Sequence, residues 1–590
     1  MADTPPTSAK WVRAGRLADL HAAGCLTAQV EGHTLALFAQ GNQVFAVDNR
    51  CPHMGFPLQR GTVKDGILTC HWHHARFDLA SGGTFDQWAD DVRAFPVQIR
   101  DGELWVDLAL REDPRTRQRQ RLRDGLEHDI PLVIAKAVIH LLERGEEPAV
   151  PFRIGLDFGV HYRQAGWGQG LTIHTCMLNL LSYLDAQNRP RALYHGLGAV
   201  ADDCAGAPPR FGVHPLPDSI TDLPTLKRWF RQFVEVRDAE GAERCLVSAL
   251  RAGADSGQIA DLLFAAVTDH RYIQIGHVAD FTNKALEALD RAGWEHAEPV
   301  LTSLVSAYAS ADRMEESNAW RHPVDLVATL ESTFEALPAA LATGRRATVS
   351  HAGASWERRD ALVQVLLGED PQAIADGLLA ALRKGSSETE LAGTVAYAAA
   401  LRIARFHISN EFGDWDTALH TFTFANGVHQ GLRRSSSPEL LRGVFDAAMS
   451  VYLDRFLNVP ATPLPQPNGQ AEDPEALLRE LLELLDRQQQ VNQAGGLVAR
   501  YLYSGGEPER LLATMGAALL REDRDFHTIQ TVEAAFRQFR SLCGTPAGVH
   551  VLVAAARYLA AHAPTVRAQG QTYQIAYRLQ RGERVFDDAG

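Results

Sequence analysis

Cys51-Pro52-His53-Met54-Gly55-Phe56-Pro57-Leu58 and Cys70-His71-Trp72-His73-His74-Ala75-Arg76-Phe77-Asp78 are the two stretches that decide the fold of this chain. Each pairs a cysteine with a histidine, in the patterns Cys51-x-His53 and Cys70-x-x-His73. Together they supply two soft thiolates and two imidazoles, a ligand set that favours a metal-containing centre. Proline and glycine follow the first cysteine and a strand-like run precedes the second, which indicates that both stretches are loops.

Two kinds of centre are compatible with these four residues. Structural zinc also uses two cysteines and two histidines, but a zinc finger places both histidines together after the cysteines. Here each histidine follows its own cysteine, as in a [2Fe-2S] cluster with thiolates on one iron and imidazoles on the other. We therefore interpret Cys51, His53, Cys70 and His73 as ligands of such a cluster, with zinc as the alternative.

Residues 10–110 resemble the Rieske ferredoxins and Rieske oxygenases. The resemblance implies a compact antiparallel β domain with the cluster loops at its tip, and short runs such as residues 26–30 and 34–38, separated by Gly32-His33, suit it. The second loop of the family reads Cys-Pro-x-His-Gly, so His71 and His74 depart from it. His74 replaces a glycine that lets the backbone pass close to the cluster.

Residues that follow His73 in the second loop predict the redox potential of the cluster. Respiratory-chain Rieske proteins, which this stretch also resembles, carry a disulfide between the loops and a Ser and a Tyr that hydrogen-bond to the cluster sulfurs. Ala75 and Phe77 occupy those Ser and Tyr places, and the loops contain no further cysteine. Hydrogen bonds to sulfur stabilise the reduced cluster. Their absence predicts a low-potential cluster of the ferredoxin or oxygenase kind.

Length, net charge and cysteine content limit the number of domains, the partners and the cellular compartment that we expect. A chain of 590 residues is too long for one core, so two or three domains are expected. Its net charge of -14 argues against nucleic acid or an anionic membrane as the main partner. Five cysteines outside the cluster are scattered singly, the start resembles no signal peptide, and no apolar run is long enough to span a bilayer. These features predict a cytoplasmic protein.

The pattern changes after the β domain. We expect an arginine-rich linker, or the exposed start of a helix, at residues 111–126, an all-α domain at 127–457, a proline-rich linker or loop at 458–474, and a carboxy-terminal helical segment at 475–590. Residues 259–267 and 374–382 look alike, and 511–519 is a looser copy. Stacked helix pairs of a helical-repeat, solenoid-like kind would bury their apolar stripes.

A second redox centre is sought in the helical part. The His-x4-His signature of the classical oxygenase iron is absent, as are the Glu-x-x-His motif of di-iron bundles and a Gly-x-Gly-x-x-Gly fingerprint. Any NAD(P)H oxidation therefore belongs to a separate protein. Histidines and carboxylates at helical spacing nevertheless suggest a second iron or other metal, and the preferred ligands are His270, His277, His407 and Glu411.

Two functional hypotheses follow. In the favoured hypothesis the protein is an oxidoreductase, and an oxygenase-like reaction is one form that its activity would take. Its cluster takes electrons from a separate NAD(P)H-dependent reductase or a ferredoxin and passes them to a metal or an unknown small-molecule substrate in the helical domain. In the other, the chain is a non-catalytic electron carrier or redox sensor whose helical repeats bind a protein partner.

Overall fold

The computed structural model describes residues 9–109, 113–217, 222–348, 355–467, 472–583 and 585. These residues form two compact units. The β unit contains the described residues up to Ile154 together with those from Gln569 onward, and the helical unit runs from Gly155 to Ala568. The predicted fold class, a small antiparallel β domain followed by a large helical region, is confirmed.

The strands of the β unit form three small antiparallel sheets, with the orders β1-β10-β9, β2-β3-β4-β8 and β5-β6-β7. Their bounds are β1 (Trp11–Arg16), β2 (Cys25–Val30), β3 (His33–Gln40), β4 (Gln43–Asp48), β5 (Thr62–Lys64), β6 (Ile67–Thr69), β7 (Arg76–Asp78), β8 (Ala94–Phe95), β9 (Val97–Arg100) and β10 (Glu103–Asp107). A short helix, α1 (Leu17–Ala23), joins β1 to β2.

Tight turns set the register of these strands. Val30 pairs with His33 across Glu31 and Gly32, which both have positive φ (46° and 83°) as a type I′ hairpin turn requires. Gln40 pairs with Gln43 in the next hairpin, where Gly41 takes the positive φ. The register buries both faces of the middle of β3 and β4 against two separate cores, and it leaves the cluster stretches in the loops beyond the strand ends.

Three further helices belong to the β unit: α2 (Pro114–Glu127), α3 (Pro131–Glu143) and α25 (Ala568–Gln580). The expected linker at 111–126 is therefore a helix over most of its length, residues 110–112 lying outside the described residues. The physical reason is visible in the sequence, because Asp113 accepts a hydrogen bond from the Arg115 amide and Pro114 takes the first helical position. Arg121 then pairs with Asp90 of the β domain at 2.7 Å.

The remaining α-helices, short and long, belong to the helical unit. Their bounds are α4 (Ala149–His161, which crosses the unit boundary), α5 (Gln169–Leu180), α6 (Arg189–Cys204), α7 (Leu223–Glu235), α8 (Ala239–Arg251), α9 (Ser256–Asp269), α10 (His277–Ala292), α11 (Ala297–Thr302), α12 (Val305–Ser310), α13 (Asn318–Arg321), α14 (Leu326–Thr348), α15 (Ser355–Leu366), α16 (Pro371–Arg383), α17 (Glu388–Ala404), α18 (Phe412–Arg434), α19 (Pro438–Leu453), α20 (Pro474–Leu484), α21 (Val491–Tyr503), α22 (Pro508–Leu520), α23 (Phe526–Leu542) and α24 (Pro546–Ala561).

The expected break at residues 458–474 does not divide the helical unit. Helices after it pack on helices before it, since α23 contacts α5 and α18, and α24 contacts α17. The proline-rich segment is thus a loop inside one helical core. These contacts join helices far apart in the chain, and the helical-repeat arrangement stays a prediction.

No helix among the described residues is both long and apolar enough to cross a bilayer.

Candidate functional site

Two loops at strand ends carry the four predicted ligands. The first loop follows β4 and holds Cys51 and His53, and the second connects β6 to β7 and holds Cys70 and His73. Both cysteines are buried in a core formed with Leu58, Leu68 and Phe77. The sheets therefore bring together two segments that are distant in sequence.

The loops repeat one backbone arrangement. The Cys51 amide donates to the Phe56 carbonyl at 2.8 Å, and the Cys70 amide donates to the Ala75 carbonyl at 2.9 Å. In one loop the Gly55 amide also donates to the Cys51 carbonyl, and in the other loop the His74 amide donates to the Cys70 carbonyl. Gly55 (φ 82°) and His74 (φ 62°) both adopt the left-handed conformation. His74 thus occupies the glycine position of its loop, in a conformation that histidine tolerates better than most residues.

The two thiols face each other. They lie within hydrogen-bonding distance, so the Cys51 thiol lowers the pKa of Cys70 to about 6, while the same contact raises the pKa of Cys51. Amide groups of Trp72 and His73 also stabilise the Cys70 thiolate. A pair of adjacent thiols, one of which has a lowered pKa, is suited to bind the same metal ion.

The two imidazoles form a second pair. The His53 and His73 rings lie 4.9 Å apart at 84°, and His73 is exposed whereas His53 is half-buried. Buried Nδ1 of His53 has no hydrogen-bond partner among the described residues. Burial, then the charges of Lys136 and His73, lowers the pKa of His53 to about 4, and burial also lowers the pKa of His73. Both rings are therefore neutral near pH 7, the form that binds metals.

One metal ion does not fit this arrangement. Ligands at about 2.0–2.3 Å from a single zinc ion lie within about 4 Å of one another. Among the described residues, no three of these four side chains bring their ligand atoms within 4.8 Å of one another. Paired thiols on one side and paired imidazoles on the other, with an orphaned imidazole nitrogen, instead suit a cluster of two metal ions.

The comparisons with known proteins agree with this geometry. The family model of the Rieske [2Fe-2S] domain matches residues 10–96. The ferredoxin component of the p-cumate 2,3-dioxygenase system of Pseudomonas putida is 32% identical over 79 residues, which are 13% of this chain and 67% of that protein. The chain belongs to the Rieske [2Fe-2S] family.

Other relatives match the same Rieske domain. The ferredoxin component of the naphthalene 1,2-dioxygenase system of Pseudomonas putida is 29% identical over 101 residues, or 17% of this chain and 97% of that protein. The oxygenase subunit of a vanillate O-demethylase from a Pseudomonas species is 40% identical over 72 residues, or 11% of this chain and 22% of that protein. The Rieske domain is thus homologous to ferredoxin components of dioxygenase systems, which supports a role in electron transfer.

The Rieske domain implies a [2Fe-2S] cluster, which Cys51, Cys70, His53 and His73 would hold. Such a cluster supplies one-electron transfer, with the imidazole-bound iron changing its oxidation state. The protein surrounds this site with aromatic rings. Trp88 lies 4.6 Å from the His53 ring and Trp72 lies 4.3 Å from the His73 ring. Each imidazole thus packs against a tryptophan ring, while His73 remains an exposed residue.

Lys136 is a site residue that the sequence did not reveal. It lies on α3, outside the family segment, and its ammonium group donates to the carbonyls of Pro52 and His53 at 2.6 and 2.9 Å. Asp90 lies 3.5 Å away, and burial lowers the pKa of Lys136. A helix beyond the Rieske domain therefore holds the backbone of the first cluster loop and places a cation beside it.

The proposed second site is not assembled from the four predicted residues. His270 contacts Glu315 at 2.7 Å, His407 contacts Ser409 at 2.6 Å, and Glu411 precedes α18 as part of a capping box with Asp414. His270 and His277 were expected on one helix face, but α9 ends at Asp269 and α10 begins at His277. The left-handed backbone between them separates the two helices.

His277 instead meets two other histidines. Ligand nitrogens of His277, His420 and His527 all lie within 4.8 Å of one another, the only such group among the described residues. The sequence offered a weak signal for His420, which stands one turn after Asp416, and none for His527. Tertiary packing of α18 against α10 and α23 brings them together, and no local spacing encodes that.

Proposed function

We propose that this protein is a Rieske iron-sulfur oxidoreductase that passes single electrons from an external reductase or ferredoxin to an acceptor bound by the helical unit. The observation that carries the proposal is the pairing of buried Cys51 and Cys70 with imidazoles of which His73 is exposed. An exposed ligand edge gives an electron donor or acceptor a short path to the cluster. The acceptor is a metal or a small organic substrate, and the reaction is oxygenase-like.

The low potential expected for the cluster supports this direction of transfer. Ala75 and Phe77 are fully buried beside the second loop, and neither side chain has a hydroxyl group that donates to a cluster sulfur. A low-potential cluster reduces an iron or oxygen acceptor more readily than a high-potential one. The proposed partner is an NAD(P)H-dependent reductase, as expected for a chain without its own nucleotide fingerprint.

Anaerobic reduction tests the proposal. The full chain is mixed with NADH and a catalytic amount of a ferredoxin reductase from an aromatic dioxygenase system, and the cluster absorbance is followed. We expect bleaching by one electron per chain, and reoxidation when dioxygen is admitted. A Cys70→Ser variant serves as the control and should not bleach. A wild-type cluster that stays oxidised even with dithionite would contradict the proposal.

A second candidate function is a non-catalytic electron carrier or redox sensor. The observation that favours it is that ferredoxin components of dioxygenase systems match the Rieske domain over nearly their whole length. Steady-state NADH consumption separates the two functions. With the reductase and dioxygen present, an oxidoreductase consumes NADH faster when its small-molecule substrate is added, whereas a carrier does so only when a second acceptor protein is added.

We propose the cytoplasm as the site of action, because the cysteines outside the cluster are all unpaired thiols. Three of these thiols, Cys176, Cys204 and Cys245, are buried, and free thiols are typical of a reducing compartment.

A further inference from the structure

Three imidazoles converge inside the helical unit. Nε2 of His420 and Nε2 of His527 lie 3.1 Å apart, and the ring of His277 is 4.8 Å from that of His420. His420 is buried, and the other two are partly buried. Each histidine comes from a different helix, namely α10, α18 and α23.

The nitrogen spacing suits a shared metal ion. Two imidazole nitrogens bound at about 2.0–2.1 Å lie about 2.8–3.4 Å apart, for bond angles between octahedral and tetrahedral. The 3.1 Å separation falls inside this range. A single N–H···N hydrogen bond also accounts for that pair, and the third ring, that of His277, packs edge to face on His420 at 87°.

A carboxylate stands behind one of the rings. Nδ1 of His527, the nitrogen on the other side of its ring, is 3.9 Å from Asp416, and Asp416 accepts a hydrogen bond from the Tyr558 hydroxyl at 2.8 Å. Metal-binding histidines characteristically direct their second nitrogen to a carboxylate, which fixes the ring. Phe281 and Phe526 pack against His277 at 5.3 and 5.7 Å and form an apolar wall.

Burial favours the neutral form of His277 and His420, and the backbone just before His277 is strained. Burial, followed by the charges of the neighbouring imidazoles, lowers the pKa of His277 to about 3, and burial also lowers the pKa of His420 to about 4. Just before His277, Gln274, Ile275 and Gly276 all have positive φ (50°, 46° and 94°). Such a conformation is strained for isoleucine, and strained backbone is concentrated at functional sites.

A cavity adjoins the group of three histidines at His420. It has a volume of about 320 Å³, and its wall includes His420, Tyr272, Trp320 and Phe456. The lining also includes Asp454, whose buried Oδ2 has no hydrogen-bond partner among the described residues. Three protein ligands beside an open space are the pattern of catalytic metal sites, whereas structural sites are closed by four.

We propose that His277, His420 and His527 bind one divalent transition-metal ion, with a further coordination position left open to small molecules. Asp416 is the positioning residue of this site. The inference depends on the helical unit alone, so it holds whether or not the Rieske domain transfers electrons as proposed above.

Cobalt binding tests the proposal directly. The full chain without an affinity tag, carrying its iron-sulfur cluster, is freed of loosely bound metal by a chelator and titrated with Co²⁺. We expect one Co²⁺ per chain with visible d–d absorption in the difference spectrum, which azide then changes. Iron and acid-labile sulfide are counted in parallel, so that cluster damage is distinguished from loss of this site.

Single variants locate the ion. We expect His277→Ala, His420→Ala and His527→Gln to weaken Co²⁺ binding at least tenfold, and Asp416→Asn to weaken it roughly 10–100-fold. His550→Ala removes a partly buried histidine that contacts Tyr397 in the same unit, and it should bind Co²⁺ as the wild type does. Circular dichroism identifies any variant that fails to fold, and the His527→Gln substitution largely preserves side-chain volume. Absent binding in the wild type, or equal affinity in all folded variants, would overturn the proposal, and an azide-insensitive spectrum would overturn the open position.

Discussion

His73 lies between two other histidines, and the structure distinguishes their roles. His71 is exposed and contacts Thr62 at 3.3 Å, while His74 provides the left-handed backbone that closes the loop. Only His73 pairs its ring with His53. This pairing agrees with the spacing Cys70-x-x-His73, which predicts His73 and not its neighbours as the ligand.

Replacing these histidines separately tests the ligand assignment. We expect His73→Ala to lose most of its cluster iron and visible absorbance, because one iron loses a ligand. His71→Ala, two positions away and equally exposed, should keep both. Iron determination on the two purified variants is the measurement, and equal iron contents would contradict the assignment.

Phe77 offers a test of the redox potential. Phe77→Tyr adds a hydroxyl group at the position where higher-potential relatives donate to a cluster sulfur, so the midpoint potential should rise. Phe45→Tyr adds the same group to the same core away from the second loop, and should leave the potential unchanged. Spectroelectrochemical titration measures both, and a Phe77→Tyr potential at or below the wild-type value would exclude this explanation of the low potential.

At the scale of single residues, the structure brings together the four predicted cluster ligands but not the four residues predicted for a second site. Cys51, His53, Cys70 and His73 follow from two short local patterns. His527 and Lys136 act through partners far away in the chain, and no spacing rule connects them to those partners.

Turns and helix ends determine the geometry at the scale of elements. Gly82 follows β7 with a φ of 79°, and a Cβ atom there would lie 1.9 Å from the Val92 carbonyl oxygen. Gly102, between β9 and β10, has a nearly identical φ of 77° but nothing within 4 Å of such an atom. Substitutions at Gly102 and Gly82 can therefore distinguish the cost of backbone strain alone from the cost of strain combined with a steric clash.

Alanine at each position should give different losses. Gly102→Ala is expected to cost about 1–2 kcal/mol of unfolding free energy, from left-handed strain alone. Gly82→Ala should cost clearly more, because the Val92 backbone must also move. Thermal unfolding followed by cluster absorbance compares them, and equal midpoints would show that the contact with Val92 is unimportant.

Local patterns predicted the strands and their turns but missed one helix break. Residues 269–280 resemble one amphipathic helix, and only Gly276 hints at an interruption. The break depends on tertiary contacts, including a hydrogen bond from the Gln274 amide to the Asp312 carbonyl at 2.7 Å. The start of α2, by contrast, has a local cause, since Asp113 caps the helix and Pro114 takes its first position.

On the scale of the whole molecule, both ends of the chain build the β unit. Arg50, next to the first cluster loop, donates to the carbonyls of Leu579 and Glu583 at 2.7 and 2.8 Å. Lys136 holds the other side of that loop from α3. The Rieske domain of this protein is thus enclosed by segments that the family model does not include.

Lys136 should raise the potential of the cluster, because a nearby cation stabilises the added electron. We expect Lys136→Met to lower the midpoint potential, and we expect Lys136→Arg to leave the midpoint potential close to the wild-type value. Lys10→Met, at an exposed position, should have no effect. Potentiometric titration of the three variants is the measurement, and an unchanged potential in Lys136→Met would show that the ammonium group only supports the backbone.

Electron paramagnetic resonance of the dithionite-reduced full chain, with iron and acid-labile sulfide counted on the same sample, tests the central claim most directly. Mixed histidine and cysteine ligation predicts a signal with a low average g value, together with equal amounts of cluster iron and sulfide. Colourless protein that contains zinc, or that holds no iron after anaerobic reconstitution, would contradict the assignment of Cys51, His53, Cys70 and His73 as cluster ligands.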